Sequence, residues 1–209
     1  MEQIEQLPFF NKVTAGVALS KSGQNLDYWI KTRIKSGEII QLKKGMFVSR
    51  MYLARIEEST GVYEKYTQFI ANILRYPSYI SLDYMLSLYG IIPEGIYVTT
   101  SITTKSGRLF SNKIGNFRYQ NINDKLFMGY QEIDYKGNSV RLASKAKALF
   151  DTIYLRSFGN SSLEYELTDG LRLNFDNFSK KDVAEFKKYV LGTKSKSKKM
   201  KRALKILGW

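Results

Sequence analysis

Residues 25–48 read NLDYWIKTRIKSGEIIQLKKGMFV, and their hydrophobic period changes at Gly37. Before that glycine, Leu26, Trp29, Ile30 and Ile34 recur every three or four positions, which predicts an amphipathic helix over Asn25–Ser36. Gln24, Asp27, Tyr28, Lys31, Thr32 and Lys35 fall on the opposite, polar face. Gly37 stops the helix, because glycine turns into the left-handed region without steric cost. Beyond it, Glu38–Leu42 and Met46–Val48 are β-prone runs joined by the basic turn Lys43-Lys44-Gly45. Upstream, Ile4, Leu7 and Phe10 keep helical spacing across residues 2–11 despite Pro8. A second short helix is predicted over Thr14–Ser20, with Thr14 as its cap, Val17 and Ala18 facing inward, and the turn Lys21-Ser22-Gly23 after it.

Three helices followed by a basic hairpin predict a winged helix-turn-helix over residues 1–55. An α-helix fits the major groove of B-DNA, where short polar side chains pair with base edges and lysines engage phosphates. Gln24, Asn25, Tyr28, Lys31, Thr32 and Lys35 are the candidate contacts on the helix, with Lys43 and Lys44 on the wing, whose backbone contacts give affinity and register. Such a unit can also serve as a protein–protein module, and an exposed basic face can be merely solvated.

Charge along the chain favours DNA. The 209 residues carry a formal net charge of +14. Residues 1–55 hold +5, residues 56–179 are neutral, and residues 180–209 hold +9. Basic ends around a balanced middle suit a polyanion, of which nucleic acid is the commonest in a cell. Histidine and cysteine are both absent. Disulfides, thiolate nucleophiles, imidazole or thiolate zinc sites and histidine-based acid–base mechanisms are thereby excluded. No glycine-rich phosphate loop, nucleophile elbow or metal-ligand spacing is visible, so neither an enzyme, a cofactor nor a metal is expected. The start, Met1-Glu2-Gln3-Ile4-Glu5-Gln6, lacks the basic and apolar blocks of a secretory signal, and the apolar stretch Tyr84–Thr104 is broken by Pro93, Glu94 and glycines. A cytoplasmic protein with no membrane partner is expected.

The middle predicts an α+β arrangement over residues 56–192. Val62–Arg75 is amphipathic, and Tyr76-Pro77-Ser78-Tyr79 breaks it, since the residue before a proline is pushed out of helical geometry. Ser81 should cap a helix running to Tyr89 and closed by Gly90. Five β-prone runs then follow, at Ile96–Thr103, Arg108–Asn112, Asn116–Asn121, Phe127–Asp134 and Asn138–Leu142, predicting a small antiparallel sheet. Ala143–Arg156 returns to a helix with Ala146, Leu149, Phe150 and Ile153 packing on that sheet. Ser179–Leu191 is a further helix with Val183, Phe186, Val190 and Leu191 apolar, and Gly192–Ser197 reads as a linker. Residues 193–209 form a basic terminal segment whose helix, Lys198–Trp209, keeps Met200, Leu204 and Leu207 on one side. It could clamp DNA phosphates or dock on an acidic partner.

Several of these runs occur in the order found in one family. Pro77-Ser78-Tyr79-Ile80-Ser81-Leu82, Tyr89-Gly90-Ile91-Ile92-Pro93-Glu94, Thr100-Ser101-Ile102-Thr103-Thr104, Gly115-Asn116-Phe117-Arg118-Tyr119, Phe127-Met128-Gly129-Tyr130 and Lys147-Ala148-Leu149-Phe150-Asp151 together resemble the AbiEi antitoxins of type IV toxin–antitoxin, or abortive-infection, systems. The likeness spans residues 5–157. It implies an antitoxin that represses its own operon by binding inverted repeats in the promoter and counteracts a nucleotidyltransferase-type toxin. In the type IV scheme no stable complex with the toxin is required, and direct binding or modification of the toxin is the alternative route. A stand-alone winged-helix regulator is the other alternative. The resemblance marks Pro77, Ser78, Tyr79, Lys147 and Asp151 as an antitoxin motif. Read as residues alone, Pro77-Ser78 is a turn between helices, and Lys147 and Asp151 are an ordinary i, i+4 ion pair. The sequence departs from the family at Lys145 and Ala146, where proline and glutamate are usual, so a task needing that carboxylate has no side chain to carry it. Inverted repeats imply two protomers per operator.

Overall fold

The computed structural model describes residues 2–57, 61–158 and 162–209. In chain order the elements are α1 (Glu2–Glu5), β1 (Phe10–Asn11), α2 (Lys12–Leu19), α3 (Gly23–Ser36), β2 (Ile39–Lys43), β3 (Met46–Ser49), α4 (Arg50–Glu57) and α5 (Val62–Leu74). There follow β4 (Ser78–Ile80), α6 (Leu82–Leu88), β5 (Val98–Thr103), β6 (Arg108–Asn112), β7 (Gly115–Asn121), β8 (Tyr130–Tyr135) and β9 (Asn138–Ala143). The last helices are α7 (Lys145–Leu155), α8 (Leu163–Tyr165), α9 (Lys180–Gly192) and α10 (Ser197–Ile206). The class is α+β. Two compact units divide these elements: Met1–Ile70 with Phe110–Asn116, and Ala71–Leu109 with Phe117–Trp209. No helix among the described residues is long and apolar enough to cross a membrane.

The first unit buries Ile4, Phe10, Ala15, Leu26, Ile30, Ile39 and Phe47 in one cluster, with Leu7, Trp29 and Ile34 packed against it. β2 and β3 pair antiparallel and β1 lies on the other side of β3, giving the order β1-β3-β2. The helical spacing of Ile4, Leu7 and Phe10 proves misleading. The first helix ends at Glu5, before Pro8, and Phe10 enters β1 opposite Phe47. The cap of the second helix also lies earlier than predicted: Asn11, not Thr14, caps it, accepting a hydrogen bond from the Thr14 amide at 2.9 Å. Val17 points outward, 79% exposed, while Ala15 is buried. Gly37 ends α3 in the left-handed conformation as expected.

A six-stranded sheet runs in the order β6-β7-β5-β4-β9-β8, and all of it except the β6–β7 tip, Phe110–Asn116, falls in the second unit. Ser78-Tyr79, expected in a turn, belongs instead to the central strand β4. It pairs antiparallel with β5 and parallel with β9, so the sheet is mixed rather than antiparallel. Every residue of α7 from Ala146 to Tyr154 is buried. A helix enclosed on all sides must be apolar all round or pair its polar groups internally. α6, α9 and α10 pack against it, with the Phe150 ring stacked on Tyr154 and edge-on to Phe186. Trp209 closes this end among Phe175, Phe178 and Phe186, with ring centroids at 5.1–5.2 Å. Two positions differ from expectation. Ser81 makes no capping bond to α6, and Leu191 is 74% exposed.

Candidate functional site

The exposed face of α3 is fixed from beneath. Leu26 and Ile30 anchor one side of the helix in the core, so Gln24, Tyr28, Lys31 and Lys35, spaced by three or four residues, must face solvent, with Asn25 and Thr32 beside them. All six are exposed. Other charges on the helix are already engaged. Asp27 pairs with Lys12 of α2, and Arg33 pairs with Glu38 while its guanidinium lies 5.8 Å from the Trp29 ring centre. Hydrogen bonds from Ser36 and Arg33 hold the Glu38 carboxyl below the usual glutamate range.

The β2–β3 turn stands beside this face. Gly45 has φ of 78°, which the turn requires, and a register shift between Gln41 and Lys43 bulges the strand just before it. Lys44 is exposed and Lys43 partly so. One groove of about 360 Å³ is lined by Lys31 of α3 and Lys44 of the turn, over a floor of Ile30, Ile34 and Phe47. Three stretches separated in sequence thus line one concavity, where Lys31 and Lys44 stand beside the ion pair of Lys12 and Asp27.

Sequence reasoning missed a third contributor. The tip of the β6–β7 hairpin belongs to this same unit. Asn112 donates to the Leu42 carbonyl at 2.9 Å and accepts from the Ile114 amide at 2.8 Å, seating Lys113 along a second groove of about 320 Å³ with Lys43 and Lys44. Nothing in the local pattern of residues 108–116 signals this, because the association spans some 70 positions.

The second unit gathers part of the other motif. Lys147 and Asp151 are both completely buried, with Nζ 2.7 Å from Oδ1. Tyr79 on β4 donates its hydroxyl to Asp151 Oδ2 at 2.9 Å, and Ser81 does so at 2.8 Å. The ammonium also faces the rings of Phe150, Tyr189 and Tyr79, at 4.7, 5.4 and 5.8 Å from their centres. Burial pushes the Asp151 carboxyl above its usual range, against the opposing pull of Lys147, Ser81 and Tyr79. The Tyr79 hydroxyl is driven well upward, first by burial and then by Asp151. Tyr79 stacks on Tyr130 and tilts against Phe127.

Tyr79, Lys147 and Asp151 are therefore one cluster, whereas Pro77 and Ser78 are directed elsewhere. The Pro77 carbonyl accepts from Thr103 at 2.7 Å, and Ser78 points to the Asn72 carbonyl. Ser81, expected from sequence as a helix cap, and Tyr189, which the sequence did not mark, complete the cluster. With both charges sealed from solvent, the cluster presents nothing to a substrate. It ties β4 to α7 through a carboxylate holding three donors. Ala146 is fully buried in the same helix. No protein-family model matches the chain, and no curated protein is significantly similar to it.

Proposed function

We propose that the protein is a winged-helix DNA-binding antitoxin that represses its own operon, with α3 read as the recognition helix and the β2–β3 turn as the wing. The observation that carries the DNA-binding reading is the groove shared by Lys31 and Lys44, beside an exposed face bearing Gln24, Asn25, Tyr28, Thr32 and Lys35. A duplex offers phosphates to the lysines and base edges to the short polar side chains. The element order helix–strand–helix–helix–strand–strand supports the same reading. The antitoxin role rests on the ordered motifs shared with the AbiEi family, and its target is a nucleotidyltransferase-type toxin encoded beside it in the cytoplasm of the same cell.

A gel-shift titration against the promoter region upstream of the gene tests the DNA-binding part. Salt-sensitive, repeat-specific shifts that Lys31→Ala and Lys44→Ala weaken support it. Binding with no preference over random duplex overturns it. Co-expression with the neighbouring reading frame tests the antitoxin part: growth is rescued if the reading is right, and arrested equally with or without this protein if it is wrong.

A further inference from the structure

The most basic part of the chain helps to form a third concavity, in the second unit, that the DNA-binding reading does not use. Leu155 and Arg156 at the end of α7, Phe158 and Leu163 beyond it, and Lys196, Lys198, Lys199 and Arg202 at the start of α10 line a cleft of about 610 Å³. Five of its lining residues are cations and none of those described is a carboxylate. That volume lies within the roughly 300–1,000 Å³ of small-molecule sites. The first turn of α10 forms part of the wall, adding the positive end of a ten-residue helix.

Two of the lysines are held in place from below. Lys196 donates to the Tyr154 carbonyl at 2.9 Å and Lys199 to the Arg156 carbonyl at 2.6 Å, which satisfies carbonyls at the α7 terminus. Each bond takes one of an ammonium's three donors. The Lys199 ammonium is held below its usual range by burial and by neighbouring Lys196, a like-charge repulsion that an anion would relieve. Among the described residues Arg156 and Arg202 have long ion pairs, 3.9 Å to Asp83 and 3.6 Å to Glu164, on exposed side chains. Leu155, Phe158 and Leu163 supply an apolar wall beside the cations, with the Lys199 ammonium 4.8 Å from the Phe158 ring centre, so that a flat group would stack on the ring's other face. Converging cations next to an aromatic ring suit a compact anion carrying a flat group, whereas the backbone of a strand would need cations spread along a track. Lys187, Lys188, Lys194, Lys201 and Lys205 lie outside the cleft lining.

We infer that this cleft binds the polyphosphate tail of a free nucleoside triphosphate, with Arg156, Lys198, Lys199 and Arg202 on the phosphates and Phe158 against the base. Calorimetric titration of the full chain with ATP and GTP tests it, with inorganic triphosphate and a short single-stranded oligonucleotide as competitors. Saturable binding is expected, weakened about tenfold or more by Lys198→Ala with Arg202→Ala, since each removes a charge-assisted contact. Phe158→Ala should weaken the nucleotides and spare inorganic triphosphate. The charge-matched pair Lys201→Ala with Lys205→Ala should leave binding unchanged, and circular dichroism should show both pairs folded. The assignment is overturned by the absence of saturable binding at millimolar nucleotide, by equal losses in the two charge-matched pairs, by inorganic triphosphate binding as tightly as ATP, or by the oligonucleotide displacing nucleotide at far lower concentration.

Discussion

Lys31 and Lys147 are the same residue type, one on the amphipathic helix α3 and one on the all-round apolar helix α7, and their situations are opposite. Lys31 is exposed on α3, beside a groove it shares with Lys44. Lys147 is sealed inside the second unit with a carboxylate and three aromatic rings around its ammonium. A solvated lysine costs the fold little and can serve a partner. A buried one is costly to desolvate and persists only where its partner is fixed. Position relative to the core therefore decides whether a cation in this chain stands open to solvent or serves the architecture.

The sharpest way to break this contrast is to remove the partner of the buried cation. Asp151→Ala should destabilise the protein by about 3–5 kcal/mol in urea unfolding, because Lys147 is left uncompensated. Replacing both residues, Lys147→Met with Asp151→Leu, should recover most of that loss; a double variant as unstable as the single one would refute the pairing.

Alkaline pH gives a companion measurement. The hydroxyls of Tyr79, Tyr119 and Tyr189 are all raised by burial. A group with a raised folded value adds stability that is complete below the ordinary tyrosine pKa of about 10 and is lost as pH climbs towards the folded value. Ultraviolet titration should accordingly show a set of tyrosines that ionise only as the chain unfolds, and ionisation of every tyrosine in one reversible step near the ordinary value would contradict it.

Gly129→Ala comes next in size. Gly129 sits at φ of 78°, and a Cβ there would overlap the Tyr189 hydroxyl, approach its ring carbon to 2.7 Å and reach the Lys147 stem at 3.0 Å. Strain of this kind costs about 1–3 kcal/mol, with the displaced ring adding to it. Substitutions on the exposed face should behave in the opposite way, leaving the urea midpoint unchanged while altering DNA binding. Asn25→Ala should reduce discrimination between operator and mutated operator by about 1–3 kcal/mol if it reads a base. Lys113→Ala should have the mildest effect, a uniform weakening across sequences with the log–log salt slope smaller by about 0.9. An unchanged slope would remove the hairpin tip from the interface.

Legibility in the sequence follows the same division. α3 and the β2–β3 turn could be read because an amphipathic stripe and a glycine are local signals, written within a few residues of the structure they specify. β4 was lost since Ser78-Tyr79-Ile80 is three residues long and buried throughout, leaving no alternation to detect. Val17 and Leu191 misled because an apolar side chain need not be covered, and here neither is. The spacing of Lys147 and Asp151 revealed a pair but not its burial. Ala146, Ala148, Leu149 and Phe150 around them were the available hint, for a helix apolar on every side has no wet face on which to place an ion pair. Ser81 has the sequence context of a helix cap but donates to Asp151 in the fold, a choice made by a residue 70 positions away.

The hairpin tip at Phe110–Asn116 carries a practical consequence for anyone transplanting the first unit. Because that unit is discontinuous, cutting the gene after Ile70 would leave the Leu42 carbonyl without Asn112 and discard Lys113 as well. A portable module would have to splice the later loop back onto the earlier stretch through a short artificial bridge, so modular swapping must respect a boundary that the linear order of codons does not show.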